Sequence, residues 1–191
     1  MNIQNNNSLT DYSWNQNSKL IQFYKGKITD SKGRWIHDIQ NWDNDRLEYT
    51  HDYIQWLFPL REKSRFNPKA PILEQEQINA FKTDLVLRDN LIKSFINMLK
   101  FYGFEYTTVS KGIVINFSEE WKTRKRNWLS KGNHNHLRIT RILASMRILG
   151  LPDYSKAFFK VLSKLFYSDE GAELISKESF EFWKRASGYN E

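Results

Sequence analysis

The chain has 191 residues, a formal net charge of +7, no cysteine, four prolines and 15% aromatic residues. The lack of cysteine excludes disulfide bonds, thiolate metal sites and a cysteine nucleophile, and the aromatic content excludes a disordered chain. No window reaches the roughly 18 uncharged apolar residues of a membrane span, and no signal-peptide pattern opens the chain. We therefore expect an intracellular, cytoplasmic protein that does not enter a membrane.

The first residues predict a flexible lead-in followed by short helices. Residues 1–17 are rich in Asn and Gln and have no apolar periodicity, whereas we expect residues 18–188 to form a single helical domain. Ser18 and Gly26 are placed to cap and to end a short first helix. The spacing of apolar residues predicts a second short helix over 34–42.

The stretch 43–58 predicts the helix around which the domain is organised. Asp43 is a suitable N-cap, Pro59 cannot continue the helix, and roughly 200° of the circumference is apolar or aromatic. A helix with so wide an apolar face belongs inside a domain. Its polar residues form one narrow ridge, which consists of Glu48, His51, Asp52 and Gln55.

The rest of the chain predicts more helices and one hairpin. Residues 74–101 predict either one long helix or two that meet at Asp84, and β-branched residues around Gly112 predict a β-hairpin over 104–117. Further helices are predicted over residues 118–131, 134–149, 153–167 and 172–186. The expected fold is a mainly α, single-domain bundle of about seven helices with this small hairpin.

The positive charge is concentrated in one segment. No Asp or Glu occurs between Trp121 and Pro152, and outside this segment twenty-one basic residues face twenty-two acidic ones. The segment interleaves basic and aromatic residues, a pattern that suits phosphate contacts and base stacking. A nucleic-acid-binding protein that uses residues 121–147 is therefore an alternative. Its binding residues would be Lys122, Arg124, Lys125, Arg126 and Lys131.

The predicted helix over 134–149 mirrors the organising helix. Within a band of about 60° it carries a basic ridge that consists of His134, Arg138 and Arg141. Two interpretations remain open. In the first, Glu48 and Asp52 pair with these arginines, because a buried charge needs a partner. In the second, both ridges line a cleft for a ligand, since Arg binds planar acidic groups through two hydrogen bonds.

Neither a metal centre nor a catalytic site is indicated. Glu48 and His51 have the Glu-x-x-His spacing of di-iron bundles, but the sequence lacks the second such pair that those sites require. His134 and His136 point about 200° apart on a helix, so they cannot share an ion. No phosphate loop, dinucleotide fingerprint or nucleophile elbow is present. We expect no cofactor, and the sequence favours a binding protein over an enzyme.

Five stretches carry a family resemblance. They are residues 23–26 (FYKG), 30–34 (DSKGR), 48–60 (EYTHDYIQWLFPL), 64–73 (SRFNPKAPIL) and 134–143 (HNHLRITRIL). These stretches resemble the conserved region of the opioid growth factor receptor family. The resemblance implies a nucleus-associated location in a eukaryote and a short peptide as partner, and it carries over no catalytic residues. The repeat-bearing tail of the eukaryotic receptor has no counterpart in these residues.

We therefore expect a non-catalytic recognition domain that binds a peptide or protein segment in a cleft between helices 43–58 and 134–149. The predicted ligand-binding residues are His51, Tyr53, Gln55, Trp56, His134, Arg138 and Arg141. Glu48 and Asp52 are the candidates for a structural ion pair with the basic ridge.

Overall fold

Eleven α-helices and one hairpin form the part of the chain that the computed structural model describes, which is residues 18–65, 67–110 and 112–189. The predicted lead-in 1–17 lies outside these residues. Before the hairpin come α1 (Lys19–Tyr24), α2 (Ile36–Gln40), α3 (Asn44–Tyr49), α4 (Ile54–Leu57), α5 (Gln75–Thr83) and α6 (Leu85–Tyr102). The expected mainly α fold with a small hairpin is confirmed.

The hairpin and the remaining helices complete the fold. Strands β1 (Phe104–Val109) and β2 (Gly112–Phe117) pair antiparallel, with Phe104 opposite Phe117. After them come α7 (Trp121–Arg124), a 3-10 turn (Lys125–Asn127), α8 (Asn135–Ile148), α9 (Pro152–Phe166), α10 (Asp169–Leu174) and α11 (Lys177–Ser187).

One aromatic cluster joins the two halves of the chain. Phe158 of α9 is fully buried, and its ring lies 5.7 Å from those of Phe95 on α6 and Phe104 on β1. Helix α9 therefore packs on α6 and on the hairpin, which alone would be only marginally stable. On its other sides α9 packs against α8, α10 and α11.

The organising helix predicted over 43–58 is wrong as a single helix. Asp43 caps α3 as expected, accepting a hydrogen bond from the Arg46 amide at 2.8 Å, but the backbone becomes extended at Thr50. A second helix begins only at Ile54. The break has a packing reason: all residues from 53 to 59 are buried, and a helix continued from α3 would leave part of this run on its exposed side.

Two other helix boundaries differ from the prediction, and a third decides between the two alternatives left open for residues 74–101. The long helical stretch is two helices that meet at Asp84, whose carboxylate accepts hydrogen bonds from the Val86 and Leu87 amides. The helix expected over 118–131 ends early, because Trp128 turns into the core and donates from Nε1 to the Tyr102 carbonyl at 3.0 Å. The helix expected over 172–186 is divided into α10 and α11 by Ser176, which caps α11.

Candidate recognition surface

The break between α3 and α4 is occupied by the side chain of Arg138. Helix α3 ends without helical partners for its last carbonyls, a general property of helix termini. The guanidinium of Arg138 supplies the donors: Nη1 donates to the Leu47 carbonyl at 3.0 Å, and Nη2 donates to the Thr50 carbonyl at 2.8 Å and to the Glu48 carbonyl at 3.4 Å. Arg138 thus caps α3 from a helix almost ninety residues later in the chain.

Arg138 is a structural residue in this arrangement. Its side chain is 5% exposed, so the cost of removing its charge from water must be offset by hydrogen bonds. The carbonyl end of a helix carries partial negative charge, which favours a cation there. The carboxylate of Glu48 lies 3.9 Å from Nη1. The ion pair expected between the two ridges is therefore present for Arg138, although backbone carbonyls provide its closest contacts.

Glu48, His51 and His134 come together beside this cap, and we call these three residues the His–Glu surface. The rings of His51 and His134 meet edge to face with centroids 5.0 Å apart, and Nε2 of His134 lies 3.5 Å from Glu48 Oε1. Asn135 donates to the other oxygen of Glu48 at 3.0 Å. Both histidines are exposed and Glu48 is half-buried, so a partner can reach the cluster.

The hydrogen-bonding character of His51 follows from its neighbour. Nδ1 of His51 lies 2.9 Å from Nη2 of Arg138. A guanidinium only donates hydrogen bonds, so Nδ1 must accept and the ring hydrogen lies on Nε2. Nε2 of His134 faces a carboxylate, which favours its hydrogen on that atom and leaves Nδ1 as an acceptor. The two rings together offer one donor and one acceptor.

The electrostatics of His134 favour its neutral form. Burial lowers its pKa, and the positive charge of Arg138 lowers it further, while Glu48 acts in the opposite direction. A neutral ring keeps an acceptor nitrogen, which a protonated ring would lose. The His–Glu surface therefore presents hydrogen-bonding groups rather than a cluster of positive charge.

Two other predicted site residues have structural contacts elsewhere. Asp52 pairs with Arg34 at 2.7 Å, and the same guanidinium also binds Asp30, so these three residues form a network of their own. Nη1 of Arg141 donates to the Phe58 carbonyl at 3.1 Å, at the end of α4. Arg141 therefore closes α4 much as Arg138 closes α3, and burial lowers the pKa of its guanidinium.

Three predicted site residues lie inside the protein. Tyr53 is 0%, Trp56 4% and Gln55 5% exposed. The Tyr53 hydroxyl donates to the Leu47 carbonyl at 3.2 Å, and the Trp56 ring packs against Phe23 with centroids 5.1 Å apart. Tyr53 thus supports the backbone of the break from within, and none of the three side chains reaches the solvent side.

Sequence reasoning missed two exposed apolar side chains. Tyr49, at the end of α3, is 82% exposed, and Leu137, next to Arg138 on α8, is 60% exposed. Tyr49 is one of the aromatic residues on the wide apolar face predicted for 43–58, yet on α3 it faces solvent. The sequence did contain a signal for the exposure of Leu137, because this lone apolar residue lies among His134, Arg138 and Arg141 on the polar side of its helix.

The residues proposed to bind nucleic acid lie in several different environments. Nε of Arg124 pairs with Glu120 at 2.7 Å and Nζ of Lys125 with Glu170 at 2.5 Å. Trp128 is fully buried, and the half-buried Trp121 packs against Phe104 and Phe117. The remaining three basic side chains, Lys122, Arg126 and Lys131, are exposed. The aromatic residues of this segment thus belong to the core and offer no stacking platform for bases.

The described part of the chain offers neither a metal-binding cluster nor a membrane-spanning helix. Its His, Asp and Glu residues form no group of three that is able to hold a metal ion. None of its helices combines the length and the apolar composition needed to cross a bilayer.

The chain matches one protein family over nearly its whole length. The family described as "Opioid growth factor receptor (OGFr) conserved region" matches residues 13–187. No solved structure matches the chain.

Several curated proteins are similar to this chain. Opioid growth factor receptor of Rattus norvegicus is 43% identical over 150 residues, which are 76% of this chain and 25% of that protein. The receptor of Homo sapiens is 38% identical over 150 residues, which are 76% of this chain and 22% of the receptor. Opioid growth factor receptor-like protein 1 of Mus musculus is 33% identical over 156 residues, which are 80% of this chain and 33% of that protein. The chain thus spans between about a fifth and a third of the length of these relatives.

The stretches that carry the resemblance meet in the structure. Arg138 and Arg141, from residues 134–143, hold the carbonyls of residues 47–58. Asn67, from residues 64–73, donates to the Asp52 carbonyl at 2.7 Å. The resemblance therefore lies on one connected structural unit. With a family match across residues 13–187, the chain belongs to the opioid growth factor receptor conserved-region family.

Proposed function

We propose that this chain is a non-catalytic recognition domain that binds a peptide or protein segment at the His–Glu surface. The names of its relatives, which are receptors or receptor-like proteins, support a peptide or protein partner. The proposal includes the intracellular location expected from the sequence. Of the residues first predicted, His51 and His134 contact the ligand, while Arg138, Arg141, Tyr53, Gln55 and Trp56 hold the surface in shape.

The observation that carries the proposal is the pair of exposed histidines on a backbone fixed by a buried arginine. A fixed surface loses little conformational entropy on binding, which favours affinity. Nε2 of His51 donates and Nδ1 of His134 accepts, and a peptide unit offers the matching carbonyl and amide. The exposed ring of Tyr49, at 82%, supplies an apolar contact of the kind enriched at interfaces.

The experiment is a selection of random dodecapeptides displayed on phage against the full chain. Each enriched peptide is synthesised and titrated by fluorescence anisotropy against the wild type and against the double variant His51→Ala/His134→Ala. We expect affinity to fall about tenfold or more in the double variant, since a few central residues dominate an interface. His37→Ala is the matched control, because the His37 side chain is 63% exposed and lies on α2.

Three results would reject the proposal. They are a selection without enrichment, peptides that bind the double variant as tightly as the wild type, and an equal loss in the His37→Ala control. A further arm titrates random-sequence duplex DNA at two salt concentrations. DNA binding that falls steeply with salt and is abolished by Arg124→Ala, Lys125→Ala and Arg126→Ala together would replace the peptide function by the nucleic-acid alternative.

A further inference from the structure

A second concave feature lies away from the His–Glu surface. An open groove of about 570 Å³ lies between the end of α9, α10, the start of α11 and the loop that contains Lys131. Phe166 and Ile175 form its inner wall, where Ile175 is only 3% exposed. Tyr167, at 73% exposure, lies at its outer side. None of these residues lies in the five stretches that carry the family resemblance or in the His–Glu surface.

The walls of the groove are held rigidly. Phe166 stacks on Phe180 of α11 with ring centroids 4.0 Å apart and an interplanar angle of 8°. Helix α10 approaches α9 so closely at Gly171 that an added Cβ would lie 1.8 Å from the Leu165 carbonyl oxygen. Ser168 caps α10 by accepting from the Gly171 amide at 3.2 Å. The groove is therefore formed before any partner arrives, as is usual for binding sites.

The described residues that line the groove carry a small positive balance, with two lysines and one glutamate. Lys131 and Lys177 line it, are exposed, and have no ion-pair partner among the described residues. The pair Lys125–Glu170 fastens the basic segment to α10 and neutralises that glutamate. Glu173 is the acidic side chain among the lining residues that the structure describes. An apolar wall beside two unpaired lysines matches a ligand that is apolar in the middle and acidic at its flanks.

We infer that this groove docks an acidic, hydrophobic segment of a partner protein. One large aromatic or aliphatic side chain of the partner enters between Phe166, Tyr167 and Ile175. Carboxylates before and after it pair with Lys131 and Lys177. Such charges steer the encounter and select the partner, while the apolar contact slows dissociation.

A protein segment suits the groove better than a nucleic acid does. A phosphate backbone carries a charge at every nucleotide, and one of these would fall beside Glu173. A peptide separates its carboxylates by uncharged residues and avoids that repulsion. The tryptophans of the neighbouring basic segment, Trp121 and Trp128, pack in the core and are not free to stack on bases.

The test uses three synthetic dodecapeptides and the full chain labelled with ¹⁵N. The first peptide carries one Phe and one Leu between glutamates, the second has lysine in place of each glutamate, and the third has alanine in place of Phe and Leu. We expect the first to shift the amide resonances of residues 131–132 and 166–177, and to bind about tenfold or more tightly than the other two.

Charge-reversed variants test whether the two lysines select the peptide by its charge. The double variant Lys131→Glu/Lys177→Glu weakens binding of the glutamate peptide about tenfold and gains affinity for the lysine peptide. The matched control, Lys93→Glu/Lys156→Glu, changes the net charge equally at two exposed lysines outside the groove. It leaves both affinities within about twofold. Tyr167→Ala is a second variant at an exposed position and weakens the glutamate peptide without altering the charge.

Several outcomes would overturn the inference. They are no binding of the glutamate peptide at millimolar concentration, equal binding of the glutamate and lysine peptides, resonance shifts outside the groove, and an equal loss in the control variant. Single-stranded oligo(dT) that displaces the glutamate peptide and binds more tightly would assign the groove to nucleic acid instead. His51→Ala/His134→Ala leaves the glutamate peptide unaffected, so failure here is distinguishable from failure of the His–Glu surface.

Discussion

At the scale of the residue, the single side chain of Arg138 stabilises the break between α3 and α4 and also shapes the candidate site beside it. Its guanidinium replaces the helical hydrogen bonds that α3 loses at its end, and it also orients the His51 ring. Removal of this group would leave the buried carbonyls at the break without donors, which costs free energy.

We expect Arg138→Met to lower the free energy of unfolding by about 3–5 kcal/mol, the usual cost of breaking a buried charged network from one side. Arg138→Lys recovers only part of this loss, because an ammonium cannot span the carbonyls of Leu47 and Thr50 as a guanidinium does. Urea denaturation followed by tryptophan fluorescence measures both variants. Arg126→Met at an exposed position is the control and changes stability by no more than about 0.5 kcal/mol.

A stable, well-folded Arg138→Met variant would contradict the capping role. It would show that water satisfies the carbonyls at the break and that Arg138 is available for a ligand. The notion that the basic ridge binds an acidic group directly would then regain support.

At the scale of the element, the end of α6 depends on Gly103. This residue has a φ of +86°, and the hairpin starts immediately after it. Ser118 bonds its carbonyl through both the amide and the hydroxyl, each at 2.9 Å. The turn also lies directly against α7, since a Cβ added to Gly103 would lie 2.9 Å from the Arg124 Cβ and 3.1 Å from the Trp121 Cα.

Gly103→Ala should therefore destabilise the protein more than the same change at Gly26. Both glycines have positive φ, which costs an L-residue about 1–2 kcal/mol, but no described atom lies within 4 Å of a Cβ added at Gly26. We expect the excess for Gly103→Ala to be about 1–3 kcal/mol, the cost of overpacking. Thermal unfolding by circular dichroism compares the two variants, and equal losses would show that α7 moves aside freely.

At the scale of the whole molecule, stability should depend on pH through two histidines, the buried His136 and the partly desolvated His134. His136 is 4% exposed between Trp128 and Trp183, and burial lowers its pKa; burial likewise lowers the pKa of His134. The unfolded chain, with histidines near pKa 6.5, therefore binds more protons than the folded protein. Stability rises with pH wherever this holds, so it is complete above about pH 6.5 and declines as the pH falls below that value.

We expect the free energy of unfolding from urea titrations to be lower at pH 5.5 than at pH 7.5, and His136→Gln to flatten this dependence. His37→Gln, on an exposed side chain, is the control variant. A His136→Gln variant with the wild-type pH slope would show that other groups cause it. Working above pH 5 keeps most carboxylates ionised and so separates the histidines from acid unfolding.

The sequence by itself determined the elements whose signals are local. Apolar periodicity and the caps Asp43 and Asp84 are properties of neighbouring residues, so the mainly α fold, the hairpin and most helix starts were predictable. The stretches that carry the family resemblance were equally visible.

Only the tertiary structure decided where the organising helix breaks and which of its side chains reach solvent. A continuous helix over 43–58 satisfies every local rule. The hydrogen-bond donor that stabilises the break comes from Arg138, far along the chain. Tyr49, before the break, is exposed, whereas Gln55 and Trp56, after it, are buried. Hydrogen bonds and cavities between distant segments depend on how whole elements pack, and no pattern within one element records that packing.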